Sequence, residues 1–489
     1  MLWLLLLIPT AAGIAALALH NPAALRRTLL PAAAAAHTAL TAMCWAVRPE
    51  PVLNGWLGLD ALSLLVLSIT SGLFLAAAVY ATGYLRREPP RKTDFQDGGL
   101  FTDAPEARFV ACLLLFLATM TLVTLSRHLG LLWVGVEATT LASAPLIYFH
   151  RHHRSLEATW KYLLICSVGI ALALQGNFFL AVAAKGSREV HLTVEHLQAH
   201  AGQLDPVWLK AAFLFLLVGY GTKMGLAPMH TWLPDAHSEA PSVVSALLSG
   251  ALLNCAFLGI LRVHALMGAA GLGEFSGQLL TGFGLLSMAI AAVFIIEQAD
   301  YKRLLAYSSV EHMGILALGA GVGGLAGMGA MLHMVNHSLA KGMMFLLAGN
   351  ILAVYRTKAA PQVRGLLQTL PVTGPLWMAG FLAIAGSPPF GLFVSELVIL
   401  RGALQQGQTA VAVGYLLLLG VAFVAMARIV LRMAYGSPAG IAVDPERTRG
   451  AWAVVPPMAL GAVVLALGLC LPEWLQSALT AAAAAGGAR

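Results

Sequence analysis

The chain has 489 residues, 59% of them hydrophobic and only 10% charged, with a mean hydropathy of +0.80 and a formal net charge of +7. A soluble chain carries about 25% charged residues, so lipid is the solvent for most of this surface. The positive charge is dispersed over short connections, which argues against nucleic-acid binding. Cys44, Cys112, Cys166, Cys255 and Cys470 show no paired spacing, which argues against a disulfide framework, an Fe–S site or a covalent haem.

A helix rising 1.5 Å per residue needs about 20 apolar residues to cross the hydrocarbon core. On that length, fourteen candidate spans fall at 1–20, 29–47, 58–84, 108–126, 129–149, 159–184, 207–230, 241–266, 277–297, 303–322, 326–353, 371–400, 409–434 and 452–475. The opening MLWLLLLIPTAAGIAALALH has no basic residue ahead of its apolar stretch and reads as a retained span rather than a signal peptide. The longest connections are 85–107 and 185–206; the first holds RREPPRKTDFQDGG, a polar Pro/Gly-rich surface loop. The fold class is therefore all-α integral membrane. No Gly-rich phosphate loop or dinucleotide turn occurs, which disfavours an ATP-driven pump.

Orientation follows from the basic residues of the loops. Loops after odd-numbered spans hold seventeen Lys and Arg, among them Arg151, Lys302, Arg303, Lys358, Arg447 and Arg449; those after even-numbered spans, with the C-terminus, hold eight, among them Lys185, Arg188, Arg262 and Arg489. This places the odd loops in the cytoplasm and both termini on the outer face.

Four cations remain inside spans: Lys161, Lys223, Lys341 and Arg428. Arg428 can snorkel to the cytoplasmic edge. Lys161 follows Glu157 by four residues, which predicts a helical ion pair. Lys223 and Lys341 sit deep in apolar runs, where a charge costs about 2.5–3.5 kcal/mol even on the lenient insertion scale. Desolvated lysines are titratable groups rather than fixed charges, so they read as proton carriers. Glu137, deep in LLWVGVEATTLASAPL, is the natural ion-pair partner for Lys223. In MLHMVNHSLAKGMMFLL, His333, His337 and Lys341 recur every four residues and share one helical face over about 12 Å. A His-x-x-x-His pair can hold a metal, but the sequence offers no third ligand nearby, so a proton wire fits better and no metal is expected. Glu311 and His312, in YSSVEHMG, extend the wire from the preceding span. HRHHR at 150–154 reads as an interfacial anchor.

Two spans are interrupted by proline: GTKMGLAPMHTWLPDAHSEAP by Pro228 and Pro234, and AGSPPFGLFVSELVIL by Pro388 and Pro389, ahead of Glu396. Broken helices at membrane depth line cavities and mark transport sites. The breaks fall in the seventh and twelfth spans, which suggests two inverted five-helix repeats. The implied division is 1–107, helices 1–3; 108–266, the first repeat; 277–434, the second; and 452–489, the last helix and tail.

KMGLAPMHTWLPDAHSEAPSVVSALLSG, DYKRLLAYSSVEHMG and HMVNHSLAKGMMFLLAGNI resemble the antiporter-like subunits of respiratory complex I, of group 4 membrane-bound hydrogenases and of multisubunit cation/proton antiporters. The likeness runs from LGLDALSLLVLSITSG to SELVIL, and VGVEATTLASAPLIYFHRHHRSLEATWKYLLICSVGIALALQGNFF looks most like the hydrogenase-4 component F branch. The resemblance implies a Glu137–Lys223 ion pair, a relay through His333, His337 and Lys341, and Glu396 at the outer half-channel. It also implies a titratable residue in the eighth span, where this chain has Ser249 and Asn254, a polar gap in the relay. The expected path runs Glu137, Lys223, the gap, His312, His333, His337, Lys341 and Glu396. The implied function is a proton-translocating membrane subunit of a hydrogenase-4-like or complex-I-like oxidoreductase in a bacterial or archaeal cell membrane. No catalytic residue or cofactor is expected in this chain itself. Its partners would be protons, other membrane subunits, peripheral hydrogenase-like redox subunits and lipid. The alternatives are a subunit of a cation/proton antiporter or of a proton-coupled inorganic-carbon uptake system, and a non-conducting scaffold.

Overall fold

The computed structural model describes residues 1–18, 23–87, 91–93, 100–184, 191–437 and 450–487. Lys185, Arg188, Arg447, Arg449 and Arg489, used above for orientation, lie outside the described residues. The chain opens with α1 (Leu2–Ala18), α2 (Ala23–Ala46) and α3 (Ala61–Arg87), then a small antiparallel hairpin of β1 (Arg91–Thr93) and β2 (Leu100–Thr102). A first set of helices follows: α4 (Glu106–Leu125), α5 (Leu129–Ile147), α6 (His153–Ala183), the short α7 (Val194–Ala199), α8 (Pro206–Met224), α9 (Trp232–Glu239), α10 (Ser242–Leu247) and α11 (Leu253–Ala269). The second set is α12 (Gly273–Ile295), α13 (Tyr301–Val322), α14 (Gly324–Tyr355), α15 (Leu366–Thr369), α16 (Thr373–Ile384), α17 (Gly391–Gln405) and α18 (Thr409–Ala434). The chain closes with α19 (Ala451–Leu469) and α20 (Glu473–Ala485).

Among the described residues, eleven helical segments are long and apolar enough to cross a membrane, two of them joined from shorter helices: Pro206–Glu239 and Ser242–Ala269. The other expected span positions hold α1, shorter at 17 residues, α13, and the interrupted α16–α17 pair. Helices are the solution because lipid offers the backbone no hydrogen-bond partners. Their ends are capped where they can be: Asp205 accepts from the amides of Val207 and Trp208 at the start of α8, and Asp300 from Lys302 and Arg303 at the start of α13. The last expected span ends earlier than its apolar run suggested. α19 stops at Leu469, and the residues read as a tail form α20, which packs on α3 and α14.

The two sets pack alike. α4 lies on α5 and α6 on α8 in the first; α12 lies on α13 and α14 on α17 in the second. α12 and α13 approach closely at Gly284 and Gly314, where an added Cβ on either would stand 2.7 Å from the other's carbonyl oxygen, and again at Gly277 and Gly321. Small residues at helix contacts are the membrane solution, since lipid supplies no hydrophobic drive between helices. The core is the α10–α11 segment, buried along its whole apolar length, with α14 packed against it.

Both proline interruptions are real breaks. α8 ends at Met224, Gly225 caps it with φ +85°, and Pro228 lies in the irregular stretch before a 3₁₀ turn at Met229–Thr231. Pro234 is a correction: it sits in the first turn of α9, where a missing N–H costs no hydrogen bond, and breaks nothing. Pro388 and Pro389 lie between α16 and α17. The freed groups at the first break are re-satisfied: the Ala227 amide donates to Ser287 Oγ (2.9 Å), and Trp232 Nε1 to the Thr222 carbonyl (2.8 Å). A π-helical turn at Leu248–Leu252, of which the apolar pattern carries no sign, widens the α10–α11 segment at Ser249. Such turns recur at functional sites.

Candidate functional site

Lys223, on the last turn of α8 before the break, is fully buried. Its Nζ donates to Thr140 Oγ1 of α5 (2.8 Å) and to the Tyr162 hydroxyl of α6 (2.6 Å), and lies 4.4 Å from the Tyr162 ring centroid. The Tyr162 hydroxyl also bonds Ser143 Oγ at 2.6 Å. The expected direct ion pair with Glu137 is not formed. Thr140 Oγ1 donates to Glu137 Oε2 at 3.3 Å, so one hydroxyl bridges carboxylate and ammonium. The reason is position: Glu137 is only half-buried on the outward side of α5, where it also accepts from exposed Ser167 of α6 (3.3 Å).

The second centre lies between α13, α14 and α17. Lys341 donates to Ser308 Oγ (2.5 Å) and to the Leu305 carbonyl (2.9 Å). One and two turns along α14, His337 and His333 meet His312 of α13. The His312 and His337 ring centroids are 5.0 Å apart, and His312 Nδ1 lies 3.0 Å from His333 Nε2. His333 Nδ1 in turn lies 3.0 Å from Ser395 Oγ, the neighbour of Glu396. All of these groups are buried, Glu396 included. The structure therefore changes the expected order. Lys341 is at the near end, and the three histidines stand between it and Glu396.

Ser249 and Asn254 join this second centre. Ser249 Oγ bonds Ser309 Oγ (2.8 Å), next to the Lys341 ligand Ser308, and Asn254 Nδ2 donates to Ser338 Oγ (2.8 Å), next to His337. Neither bonds Lys223, so the polar gap lies between Lys223 and these two residues.

Sequence reading missed three contributors. Thr140 and Tyr162 carry Lys223; their signal was only a hydroxyl three residues after Glu137 and an aromatic in an apolar helix. His237 of α9 is buried against Phe345 with ring centroids 5.1 Å apart, has no hydrogen bond to either ring nitrogen among the described residues, and lies within electrostatic reach of Lys302, Lys341 and His337.

Among the expected loop cations, three are buried: Arg26, Lys302 and Arg262. Lys302 donates to the carbonyls of Ser238 (3.0 Å) and Ala240 (2.6 Å), which the end of α9 leaves free. Arg262 of α11 pairs with Asp60 and donates to Ser63 Oγ (2.7 Å). Lys161 does pair with Glu157 (2.6 Å), and also with Asp235 (3.0 Å). In HRHHR, His150 pairs with Asp103 (2.7 Å) and His152 caps α6 by accepting from the Ser155 amide. The expected absence of a third metal donor needs revision: His312, His333 and Glu396 each present a ligand atom, all within 4.8 Å of one another. Those donors come from three helices, which spacing within one helix does not reveal.

A multi-pass helical bundle with two broken helices and a buried lysine–histidine–carboxylate line defines a membrane subunit of the ion-translocating class. The family described as NADH:quinone oxidoreductase/Mrp antiporter, TM, matches residues 126–421, and the chain belongs to it. It is 37% identical over 431 residues to the hydrogenase-4 component F homolog of Methylacidiphilum infernorum, covering 85% of this chain and 87% of that one. It is 29% identical to hydrogenase-4 component B of Escherichia coli, covering 74% of this chain but 52% of that one, so it spans about half the length of that relative. Among solved structures, a chain of an archaeal membrane-bound sulfane sulfur reductase shares the fold with TM-score 0.87 at 20% identity, covering 99% of this chain and 97% of that one. A chain of Thermus thermophilus respiratory complex I does so with TM-score 0.82 at 24% identity, covering 100% and 99%.

Proposed function

We propose that this chain carries protons through the membrane as one component of a hydrogenase-4-like or complex-I-like assembly, along Glu137, Lys223, Ser249/Asn254, Lys341, His337, His312, His333 and Glu396. The observation that carries the reading is the close series from Ser249 to Glu396: Ser249 bonds Ser309, the neighbouring Ser308 bonds Lys341, His337 stands one turn from Lys341 with its ring against His312, and His312 meets His333, which meets Ser395, the neighbour of Glu396. No apolar packing role calls for two lysines, three histidines and a carboxylate on one line in a membrane interior. The gap between Lys223 and Ser249/Asn254 is a step for water. Redox chemistry would belong to partner subunits, as would the drive that moves Glu137 relative to Lys223. The bilayer is a prokaryotic cell membrane, with both termini on the outer face.

The test is redox-linked proton uptake by the purified complex in proteoliposomes. Lys223→Ala and Lys341→Ala should each abolish it in complexes that assemble at the parental subunit ratio. Unchanged proton movement in either variant refutes the relay. The antiporter reading has support from the likeness to a Na(+)/H(+) antiporter component of Alkalihalophilus pseudofirmus, 32% identical over 366 residues, although the chain covers only 43% of that protein. It requires proton movement that depends on added Na⁺, which the same vesicles report.

A further inference from the structure

The point where α17 leaves its break gathers more polar atoms than the protein satisfies. Glu311 Oε2 and the Tyr415 hydroxyl are buried without a hydrogen-bond partner among the described residues. The Glu396 carboxylate makes no hydrogen bond or ion pair among the described residues. Glu311 lies within electrostatic reach of Glu396, and Tyr415 of both. Orphaned polar atoms in such number imply a missing water or ion. At their centre, His312, His333 and Glu396 present ligand atoms within 4.8 Å of one another, from three helices.

The geometry and the chemistry select the ion. His312 Nδ1 and His333 Nε2 are 3.0 Å apart. Two ligands held about 2.0–2.1 Å from a tetrahedral zinc stand about 3.3 Å from each other, so the rings must part slightly and turn both nitrogens from each other toward the ion. Two imidazoles and one carboxylate form a recurrent zinc donor set with one position open. Nitrogen donors disfavour Mg²⁺ and Ca²⁺, which take oxygen. Charge balances as well, since Glu396 as ligand and Glu311 beside it offset a divalent cation in a medium that tolerates little net charge. Gly386, with φ +62°, lets the Glu396 carboxylate pack against the backbone here, since an added Cβ would collide with Oε2.

We propose that His312, His333 and Glu396 bind a zinc-class divalent transition-metal ion, and that the bound ion blocks the polar line at this point. The binding stands by itself; the block rests on the proton-conducting reading above. Occupied, the ion takes the facing nitrogens of His312 and His333 that a proton would use.

The probe is Co²⁺, whose tetrahedral complexes absorb in the visible. It is titrated into the intact complex and into complexes carrying Glu396→Gln or His333→Ala, each checked for assembly by subunit ratio. The parent should bind one more equivalent per chain than either variant, with ligand-field bands that Zn²⁺ abolishes and excess Mg²⁺ does not. Loss of a ligand should weaken this site at least about 100-fold, because loss of an outer partner alone costs about 10–100-fold. Equal counts and spectra in the parent and the near-isosteric Glu396→Gln overturn the site, whatever His333→Ala does. Zn²⁺ should also slow redox-linked proton uptake at least tenfold in the parent. Binding without that block overturns the placement of the proton route through His312 and His333 and leaves the site standing.

Discussion

Replacing Thr140 by valine removes one oxygen and leaves the side chain nearly the same shape. That oxygen accepts from Lys223 at 2.8 Å and donates to Glu137 at 3.3 Å, so it is the sole side-chain link between the two charges among the described residues. A hydrogen bond to a charged group contributes about 1.5–3 kcal/mol, and a buried group left short of a partner costs a similar amount. Tyr162 still holds Lys223, so the lysine keeps one of its two side-chain acceptors. The expected loss is therefore one bond of about 1.5–3 kcal/mol, which at 1.4 kcal/mol per decade is about 10- to 150-fold in the coupling between Glu137 and Lys223. The assay is redox-linked proton uptake for Thr140→Val, Glu137→Gln and the double variant, a cycle that isolates their interaction. If the hydroxyl is the link, each single variant should lose most of the rate and the double variant little more. Effects that add within about 0.5 kcal/mol would refute the bridge, as would a parental rate in Thr140→Val.

Further outcomes follow from the same contacts. Glu396→Gln keeps the shape but not the titratable group, and should cut proton uptake at least tenfold in complexes that still assemble, read from vesicle acidification. Gly386→Ala places a methyl against Glu396 Oε2 in a left-handed backbone, so it should lower the unfolding midpoint, costing about 2–4 kcal/mol from overpacking and strain together. Arg262→Met leaves Asp60 with its charge partner gone and should cost about 3–5 kcal/mol, measured by thermal unfolding in detergent, with Asp60→Asn in the same chain recovering part of the loss. Lys161→Ala, by contrast, breaks exposed pairs with Glu157 and Asp235, and should change stability by less than about 1 kcal/mol with proton uptake unchanged.

The sequence showed the bundle because apolar runs of membrane length are a one-dimensional signal. It showed the breaks because proline and glycine interrupt such runs locally. It showed the His333–His337–Lys341 face because four-residue spacing maps onto one side of a helix. What it could not show is what crosses between helices. Thr140 and Tyr162 look like ordinary helix residues until α5, α6 and α8 are placed together. The order of Lys341 and the histidines is hidden for the same reason: position along α14 says nothing about where α13 and α17 meet it. Lys302 reads as a loop charge because its helix begins one residue earlier, and only the carbonyls left free by α9 explain its burial.

The two lysines share an arrangement that bears on what they do. Each ammonium has at least one hydroxyl ligand, Thr140 and Tyr162 for Lys223 and Ser308, beside the Leu305 carbonyl, for Lys341, with no carboxylate in direct contact among the described residues. A carboxylate at bonding distance only accepts, and would fix the charged form of its lysine. A hydroxyl accepts from an ammonium, and can turn to donate to the neutral amine. Hydroxyl ligands therefore serve both protonation states, and the balance between them is left to charges one step away: Glu137 behind Thr140, and Glu311, within electrostatic reach of Lys341. A small movement of those carboxylates changes the balance without unmaking the lysine's own contacts. This suits the role proposed for the two lysines, in which each would load and release a proton in each cycle. It also explains why Glu137 stands half-exposed on α5, where a neighbouring membrane protein can reach it, while Lys223 stays sealed within the bundle.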